Sequence, residues 1–194
     1  TVQKKFEVIK VDSQTKQPLA GVQFKIWRDA TLLGDYTTDE NGKITIEKAP
    51  AGTYKVQEVA TLKEYILNDK PYEIEHTTDK DTSVTVENTK KPGLLIKKVD
   101  AQTSKPLAGA SFKITRGDGS VVRENVVSDV DGVVHIPELD TGVYIITEVK
   151  APSGYVIDET PKTVQLRKGQ TYEVTFKDTK QSQLVIKKVD EDTR

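Results

Sequence analysis

Apolar and polar residues alternate with a period of two along short stretches rich in Val, Ile, Thr and Tyr, and Gly, Pro, Asp or Asn interrupt them about every 8 to 12 residues. Successive side chains of a strand point to opposite faces, so this alternation describes ribbons with one dry face and one wet face. Helical periodicity is weak throughout. Asp39-Glu40-Asn41-Gly42 and Asp129-Val130-Asp131-Gly132 fall between such stretches and predict tight hairpin turns, because Asn-Gly and Asp-Gly accept positive φ angles. Ala51-Gly52 and Thr141-Gly142 mark a second turn. Roughly seven strands in about 90 residues predict an all-β chain made of two-sheet sandwiches of immunoglobulin-like size.

The pattern repeats. Val8-Ile9-Lys10-Val11-Asp12, Pro18-Leu19-Ala20-Gly21 and Phe24-Lys25-Ile26 return 88 positions later as Ile96-Lys97-Lys98-Val99-Asp100, Pro106-Leu107-Ala108-Gly109 and Phe112-Lys113-Ile114. Asp39, Gly42, Gly52, Tyr54 and Glu58 return 90 positions later as Asp129, Gly132, Gly142, Tyr144 and Glu148, so the intervening turn has gained two residues. A third copy begins at Leu184-Val185-Ile186-Lys187-Lys188-Val189-Asp190 and stops at Arg194 after one strand. A fixed period of this size is the signature of an array. The expected organisation is a first repeat over 1–91, a second over 92–181, and the first strand of a truncated third over 182–194. The connections Thr89-Lys90-Lys91-Pro92-Gly93 and Thr179-Lys180-Gln181-Ser182-Gln183 are short and polar, which favours a stiff string of modules over loose tethering.

Alternation also shows where certain polar side chains point. In Tyr54-Lys55-Val56-Gln57-Glu58, exposing Lys55 and Gln57 sends Tyr54, Val56 and Glu58 inward, and Tyr144, Ile146 and Glu148 share the matching face. In the last strand, Thr85, Glu87 and Thr89 are polar, so Val84, Val86 and Asn88 face the core; Val174, Phe176 and Asp178 do so in the second repeat. In the first strand, the faces Phe6/Val8/Lys10 and Leu94/Ile96/Lys98 are apolar until they reach the lysine, which places Lys10 and Lys98 inward. Each repeat therefore directs one Lys, one Glu and one Asn or Asp to its interior. Such residues are almost never fully buried without partners, and an unpaired buried charge costs several kcal/mol.

Together the three have a chemistry. Burial lowers a lysine pKa and raises that of a glutamate, which opens proton transfer from ammonium to carboxylate, and the neutral amine is a nucleophile. If Lys10 lies beside the side-chain carbonyl of Asn88, attack gives a tetrahedral intermediate, which protonated Glu58 stabilises while relaying a proton to departing ammonia. The product is an intramolecular isopeptide bond. For Lys98 and Asp178 the leaving group is water, with Glu148 as the shuttle. Well-oriented intramolecular reactions reach effective molarities of roughly 10⁵ to 10⁸ M, so no separate enzyme is required.

Composition narrows the function classes. Lys+Arg (29) and Asp+Glu (30) cancel to a net charge of -1, which argues against an electrostatically driven binder of nucleic acid or anionic membrane. No apolar run approaches the ~18 to 20 residues of a bilayer crossing, so no membrane insertion is expected in this piece. The 194 residues contain neither Cys nor Met, which removes disulfides, thiolate metal sites and a Cys nucleophile, and no cofactor or metal is expected. The Asp39 and Asp129 turns resemble the start of a calcium loop but lack its bidentate Glu. His76 and His135 stand apart from any metal or catalytic spacing and read as surface or strand residues. Trp27 reads as packing, with a binding hot spot as the alternative.

At these residues the chain resembles the Cna protein B-type (SpaA-like, prealbumin-like) repeat of Gram-positive cell-wall-anchored adhesins and pilins. The resemblance rests on Lys-Val-Asp with Pro-Leu-Ala-Gly-Xaa-Xaa-Phe (Lys10 to Phe24, Lys98 to Phe112), on Gly-Xaa-Tyr-Xaa-Xaa-Xaa-Glu (Gly52 to Glu58, Gly142 to Glu148), and on the closing Glu87-Asn88-Thr89 and Lys177-Asp178-Thr179. It implies tandem immunoglobulin-like (prealbumin-like) β-sandwich domains whose Lys and Asn or Asp join under the adjacent Glu. The second repeat continues Glu148-Val149-Lys150-Ala151-Pro152-Ser153-Gly154-Tyr155, close to the family's glutamate segment. The first runs Glu58-Val59-Ala60-Thr61-Leu62-Lys63-Glu64-Tyr65, without the Ala-Pro and the Gly. Neither a Leu-Pro-Xaa-Thr-Gly sorting signal nor a Tyr-Pro-Lys pilin motif occurs, so a polymerising pilin backbone is not indicated.

The leading expectation is a structural one: stalk repeats of a secreted, cell-wall-anchored surface adhesin, stabilised by the self-formed bonds Lys10 to Asn88 and Lys98 to Asp178. The targeting signals are expected outside this piece, since residue 1 is Thr and no leader pattern follows it. The partners implied are the adjacent repeats of the same chain and, through other domains, host extracellular matrix. The alternative is a module that itself binds host matrix proteins through Trp27 or exposed loops. A conventional enzyme has no support beyond the triads, which act once and on their own chain. Lys188, with its partners beyond Arg194, is expected to remain a free amine.

Overall fold

The computed structural model describes residues 4–187, and every regular element among them is a β-strand. The chain divides into two compact units, the first centred on β1–β7 and the second on β8–β15. The first comprises β1 (Phe6–Asp12), β2 (Gln23–Arg28), β3 (Thr31–Thr37), β4 (Lys43–Ile46), β5 (Gly52–Ala60), β6 (Tyr72–His76) and β7 (Thr82–Asn88). The second comprises β8 (Gly93–Asp100), β9 (Ser111–Arg116), β10 (Val121–Val127), β11 (Val133–Ile136), β12 (Gly142–Lys150), β13 (Tyr155–Val156), β14 (Lys162–Leu166) and β15 (Thr171–Lys180).

In the first unit the sheets run β4-β1-β7 and β3-β2-β5-β6; in the second they run β11-β8-β15-β13 and β10-β9-β12-β14. Each unit is a sandwich, as the alternation predicts. Phe6 and Val8 of β1, Phe24 and Ile26 of β2, Tyr54 and Val56 of β5 and Val86 of β7 interlock in the first core, where Phe6 stacks on Tyr54 at 4.4 Å. Leu94, Ile96, Phe112, Ile114, Tyr144, Ile146 and Phe176 are fully buried in the second, with Phe112 and Phe176 5.0 Å apart. The alternate positions of these strands lie nearer water, which is the half-buried pattern of a two-layer fold.

The pairing of first strand with last brings the two terminal strands of each repeat side by side. β1 runs parallel to β7, with Lys10 opposite Val86 and Asp12 opposite Asn88. β8 and β15 are likewise neighbours in the second unit.

The predicted hairpins at 39–42 and 129–132 are not hairpins. Gly42 and Gly132 do adopt positive φ, and each closes a tight turn by donating its N–H to the carbonyl of Asp39 or Asp129. The flanking strands β3 and β4, like β10 and β11, lie in opposite sheets, so these turns carry the chain across the sandwich. A true two-residue hairpin joins β2 to β3 at Asp29-Ala30, where Asp29 takes φ 52. Residues 181–187 carry no strand, and Leu184, Val185 and Ile186 are exposed. The rest of the anticipated third-copy strand, including Lys188, lies outside the described residues.

Candidate functional site

All six residues singled out by alternation are buried: Lys10 and Lys98 are 0% exposed, Asn88, Glu148 and Asp178 1%, and Glu58 2%. The structure brings them together as two triads, one in each unit.

In the first triad β1 supplies Lys10, β5 supplies Glu58 and β7 supplies Asn88. Lys10 Nζ donates to the Val86 carbonyl at 3.1 Å and stands 3.4 Å from Glu58 Oε2, an ion-pair contact that falls short of hydrogen-bond geometry. Glu58 Oε1 accepts from Asn88 Nδ2 at 2.7 Å and from the Asn68 backbone N–H at 3.3 Å. A carboxylate oxygen only accepts, so the amide presents its nitrogen to Glu58, and that nitrogen also donates to Thr61 Oγ1 at 2.7 Å. Asn88 Oδ1 is left without a hydrogen-bond partner. Burial draws the Lys10 ammonium below the ordinary lysine range, against the opposing pull of the Glu58 charge.

In the second triad β8, β12 and β15 supply Lys98, Glu148 and Asp178. Lys98 Nζ donates to Glu148 Oε2 at 2.7 Å and lies 2.5 Å from Asp178 Oδ1. The second contact is close but misaligned, and both Asp178 oxygens and Glu148 Oε1 lack a hydrogen-bond partner. Burial raises the Glu148 carboxyl to about 7; the Lys98 ammonium opposes this and neighbouring Asp178 adds to it.

The repeated motifs are the cradle of the lysine. The Lys10 backbone N–H donates to the Gly42 carbonyl at 2.7 Å, and its carbonyl accepts from Leu19 at 2.9 Å. A Cβ on Gly42 would stand 2.5 Å from the Lys10 carbonyl oxygen and 2.9 Å from Pro18, so only glycine fits; Gly132 meets Lys98 and Pro106 in the same way. Buried Thr38 fastens the Pro-Leu-Ala-Gly loop by donating to the Leu19 carbonyl at 2.7 Å and accepting from Val22 N–H at 3.0 Å. Ser128 does so for Leu107 and Ala110. The Asp39 and Asp129 side chains accept backbone N–H groups of their own turns, at Asn41 and Lys43 and at Asp131 and Val133.

Alternation left some residues unread. Asp12 and Asp100 continue the inward face of β1 and β8 two positions past the lysines and are only 3% exposed, so the signal that located the lysines reaches them as well. Thr61 carried no such signal, because it follows the end of β5. His76 is a strand residue but not a surface one. It is buried against Phe6 and Tyr54, with Nδ1 on Thr82 Oγ1 at 2.9 Å and Nε2 on the Ala49 carbonyl at 3.2 Å. His135 is exposed in β11. Trp27 is half-buried in β2, with Lys55 Nζ 4.2 Å above its ring.

The family model described as "SpaA: Prealbumin-like fold domain" matches twice, over residues 4–90 and 93–180. The chain is 35% identical over 103 residues to a collagen adhesin of Staphylococcus aureus, covering 49% of this chain and 9% of that protein. It is 39% identical over 66 residues to the trypsin-resistant surface T6 protein of Streptococcus pyogenes serotype M6, covering 34% of this chain and 12% of the relative. The chain thus spans only a small part of these surface proteins. The crystal structure of the shaft pilin SpaA from Lactobacillus rhamnosus GG superposes with a TM-score of 0.57 at 16% identity, covering 94% of this chain and all of the pilin, a likeness of fold. With two matched modules that account for nearly all the described residues, the chain belongs to the SpaA family of prealbumin-like fold domains, the repeat domains found in Gram-positive surface adhesins and pilins.

Proposed function

We propose that the two repeats, taken as 1–91 and 92–181 with a third opening at 182, are stalk modules of a bacterial cell-surface adhesin, each crosslinked by its own triad. In repeat one the Lys10 amine attacks Asn88 Cγ. The N–C bond forms as the Cγ–Nδ2 bond breaks, and the proton lost by Lys10 leaves with Nδ2 as ammonia. Glu58 is suited to move that proton, because Oε2 faces Lys10 Nζ at 3.4 Å while Oε1 already holds Nδ2 at 2.7 Å. In repeat two the Lys98 amine attacks Cγ of protonated Asp178: the N–C bond forms as the bond from Cγ to the hydroxyl breaks, Glu148 delivers a proton to that hydroxyl, which leaves as water, and Glu148 recovers the proton that the amine sheds.

The single observation that carries this reading is the dry convergence of amine, shuttle and acceptor in both repeats. A buried ionic triad adds little stability as a set of charges. As reactants held in place, the same groups need no external catalyst. The consequence is mechanical, since the bond ties the first strand of a repeat to the last. A stalk at the cell surface, anchored through segments outside this piece, has use for modules that do not unravel under tension.

Intact mass and tryptic peptide mapping test the reading. The expected mass is lower than the sequence mass by one ammonia and one water, with branched peptides joining Lys10 to Asn88 and Lys98 to Asp178. An unshifted mass with linear peptides only would remove the crosslinks.

A further inference from the structure

Both repeats carry a tyrosine–aspartate pair that the condensation chemistry does not use, buried in the first and with a half-buried tyrosine in the second. Asp12 Oδ2 accepts the Tyr65 hydroxyl at 2.7 Å, and Asp100 Oδ2 accepts the Tyr155 hydroxyl at 2.9 Å. The other oxygen is spoken for as well: Asp12 Oδ1 accepts the backbone N–H groups of Gln14 and Thr15, and Asp100 Oδ1 those of Gln102 and Thr103, all at 2.8 Å. Each tyrosine lies seven residues past the shuttle glutamate, although the segments between, Val59 to Glu64 and Val149 to Gly154, differ in sequence. The pair persists where the loop does not.

Its placement gives it a task. Asp12 stands two residues past Lys10 on the inward face of β1 and pairs in register with Asn88. Tyr65 belongs to the segment that leaves β5 after Glu58, whose Thr61 touches the Asn88 amide. The same segment is stitched to the end of β7 by Ile66 N–H on the Thr89 carbonyl at 2.9 Å, while Ser13 N–H, beside Asp12, donates to the Asn88 carbonyl at 2.8 Å. In repeat two, Ala101 N–H donates to the Asp178 carbonyl at 2.8 Å, and Tyr155 pairs with Lys180 of β15. The hydroxyl-to-carboxylate bond therefore joins the segments that bear the amine and the shuttle, and backbone hydrogen bonds tie them to the strand that bears the acceptor.

Resting on the crosslinking reading, we propose that Tyr65 and Tyr155 are positioning residues for isopeptide formation, acting as latches that draw the segment after the shuttle glutamate against Asp12 or Asp100 and so hold the triad closed and aligned. They act through alignment, not proton transfer, since each hydroxyl donates to its aspartate and not to a triad atom. Hydrogen bonds hold both aspartates down at about 2. Those to Asp12, from Thr15, Tyr65 and Gln14, overcome its burial, and those to Asp100 come from Thr103, Gln102 and Tyr155. Asp12 and Asp100 are therefore ionised throughout the range in which the reaction would be followed.

The test is a time course on the whole chain after a short pulse of cell-free synthesis. Branched tryptic peptides report ammonia loss in repeat one and water loss in repeat two, and hydrogen exchange at the same time points reports protection of β8 and β15. Tyr155→Phe is expected to slow water loss by about tenfold or more, as misalignment by a fraction of an ångström does, while β8 and β15 stay protected and repeat one reacts at its normal rate. Tyr65→Phe should give the mirror image. Should Tyr155→Phe leave repeat two unprotected, Tyr65→Phe decides, read against protection of β1 and β7. If both variants lose protection the pair supports folding instead, and the proposal is overturned. Unchanged rates in both variants, beside a wild type that crosslinks, would overturn the latch alone. A wild type that never loses ammonia or water would overturn the crosslinking reading and the latch with it.

Discussion

At the scale of single residues, the two triads differ in one atom type, and that difference separates their chemistry. Repeat one offers an amide and repeat two an acid. An amine attacks a protonated acid but not a carboxylate, so the reactive form of repeat two needs protons on both Glu148 and Asp178 beside a neutral Lys98, one proton more than repeat one requires. Glu148 holds its proton below about 7, above the ordinary carboxylate range, and releases it as pH rises through that value. Water loss in repeat two is expected to be fastest below about pH 7 and to fall by about tenfold per pH unit above it, while ammonia loss in repeat one continues into more alkaline solution. Pulse-synthesised chain transferred to buffers of rising pH gives both profiles from one sample, and superimposable profiles would contradict this account. Thr61 makes a second distinction. Its hydroxyl accepts from Asn88 Nδ2, whereas the corresponding residue 90 positions on is Ala151. Thr61→Ala is expected to slow ammonia loss several-fold by freeing the amide to turn, with Thr61→Ser close to wild type and water loss in repeat two unchanged in both.

At the scale of strands, the fold makes neighbours of segments remote in sequence. Lys98 and Asp178 are 80 positions apart, and a bond between them removes about 4.5 kcal/mol of unfolded-state freedom on the chain-entropy account of crosslinks. On the proposed chemistry, Lys98→Ala and Glu148→Ala are each expected to lower the melting temperature of repeat two by roughly 20 to 35 °C and to abolish its loss of water. Calorimetry beside intact mass checks this, and an unchanged melting temperature would count against the bond. The inward direction of these side chains was legible because strand alternation is a local rule with few exceptions: Tyr54, Val56 and Glu58 share a face whatever surrounds them. What alternation cannot show is which sheet a strand joins. Asp39 to Gly42 has the chemistry of a hairpin turn, and its glycine does take positive φ, but β4 finds its partner in β1 instead of β3. The burial of His76 was likewise hidden, because Ala49 and Thr82, which satisfy its two ring nitrogens, come from distant segments. The role of Gly42 was half legible: its φ follows from the turn, but its contact with the Lys10 carbonyl exists only once the sandwich closes.

At the scale of the molecule, the two proposed crosslinks would set the route that tension takes. A pull on the chain enters repeat two through β8 and leaves through β15, which are adjacent in one sheet. Without a bond the two strands part and everything between them unravels. With a bond from Lys98 to Asp178, force passes along β8 to residue 98, crosses the amide and leaves at residue 178, so the intervening residues lie outside its path. Single-molecule stretching separates the cases. The Glu148→Ala chain is expected to show one release of about 260 to 290 Å, the extended length of the 80 residues from 98 to 178 at ~3.3 to 3.6 Å per residue, while repeat one stays intact. The Glu58→Ala chain should release a nearly equal length from repeat one, and the double variant both. Wild-type chain should lengthen only by the elasticity of its ends and connections until the tether itself breaks. Two full releases from wild type would show that its sandwiches are held by hydrogen bonds alone.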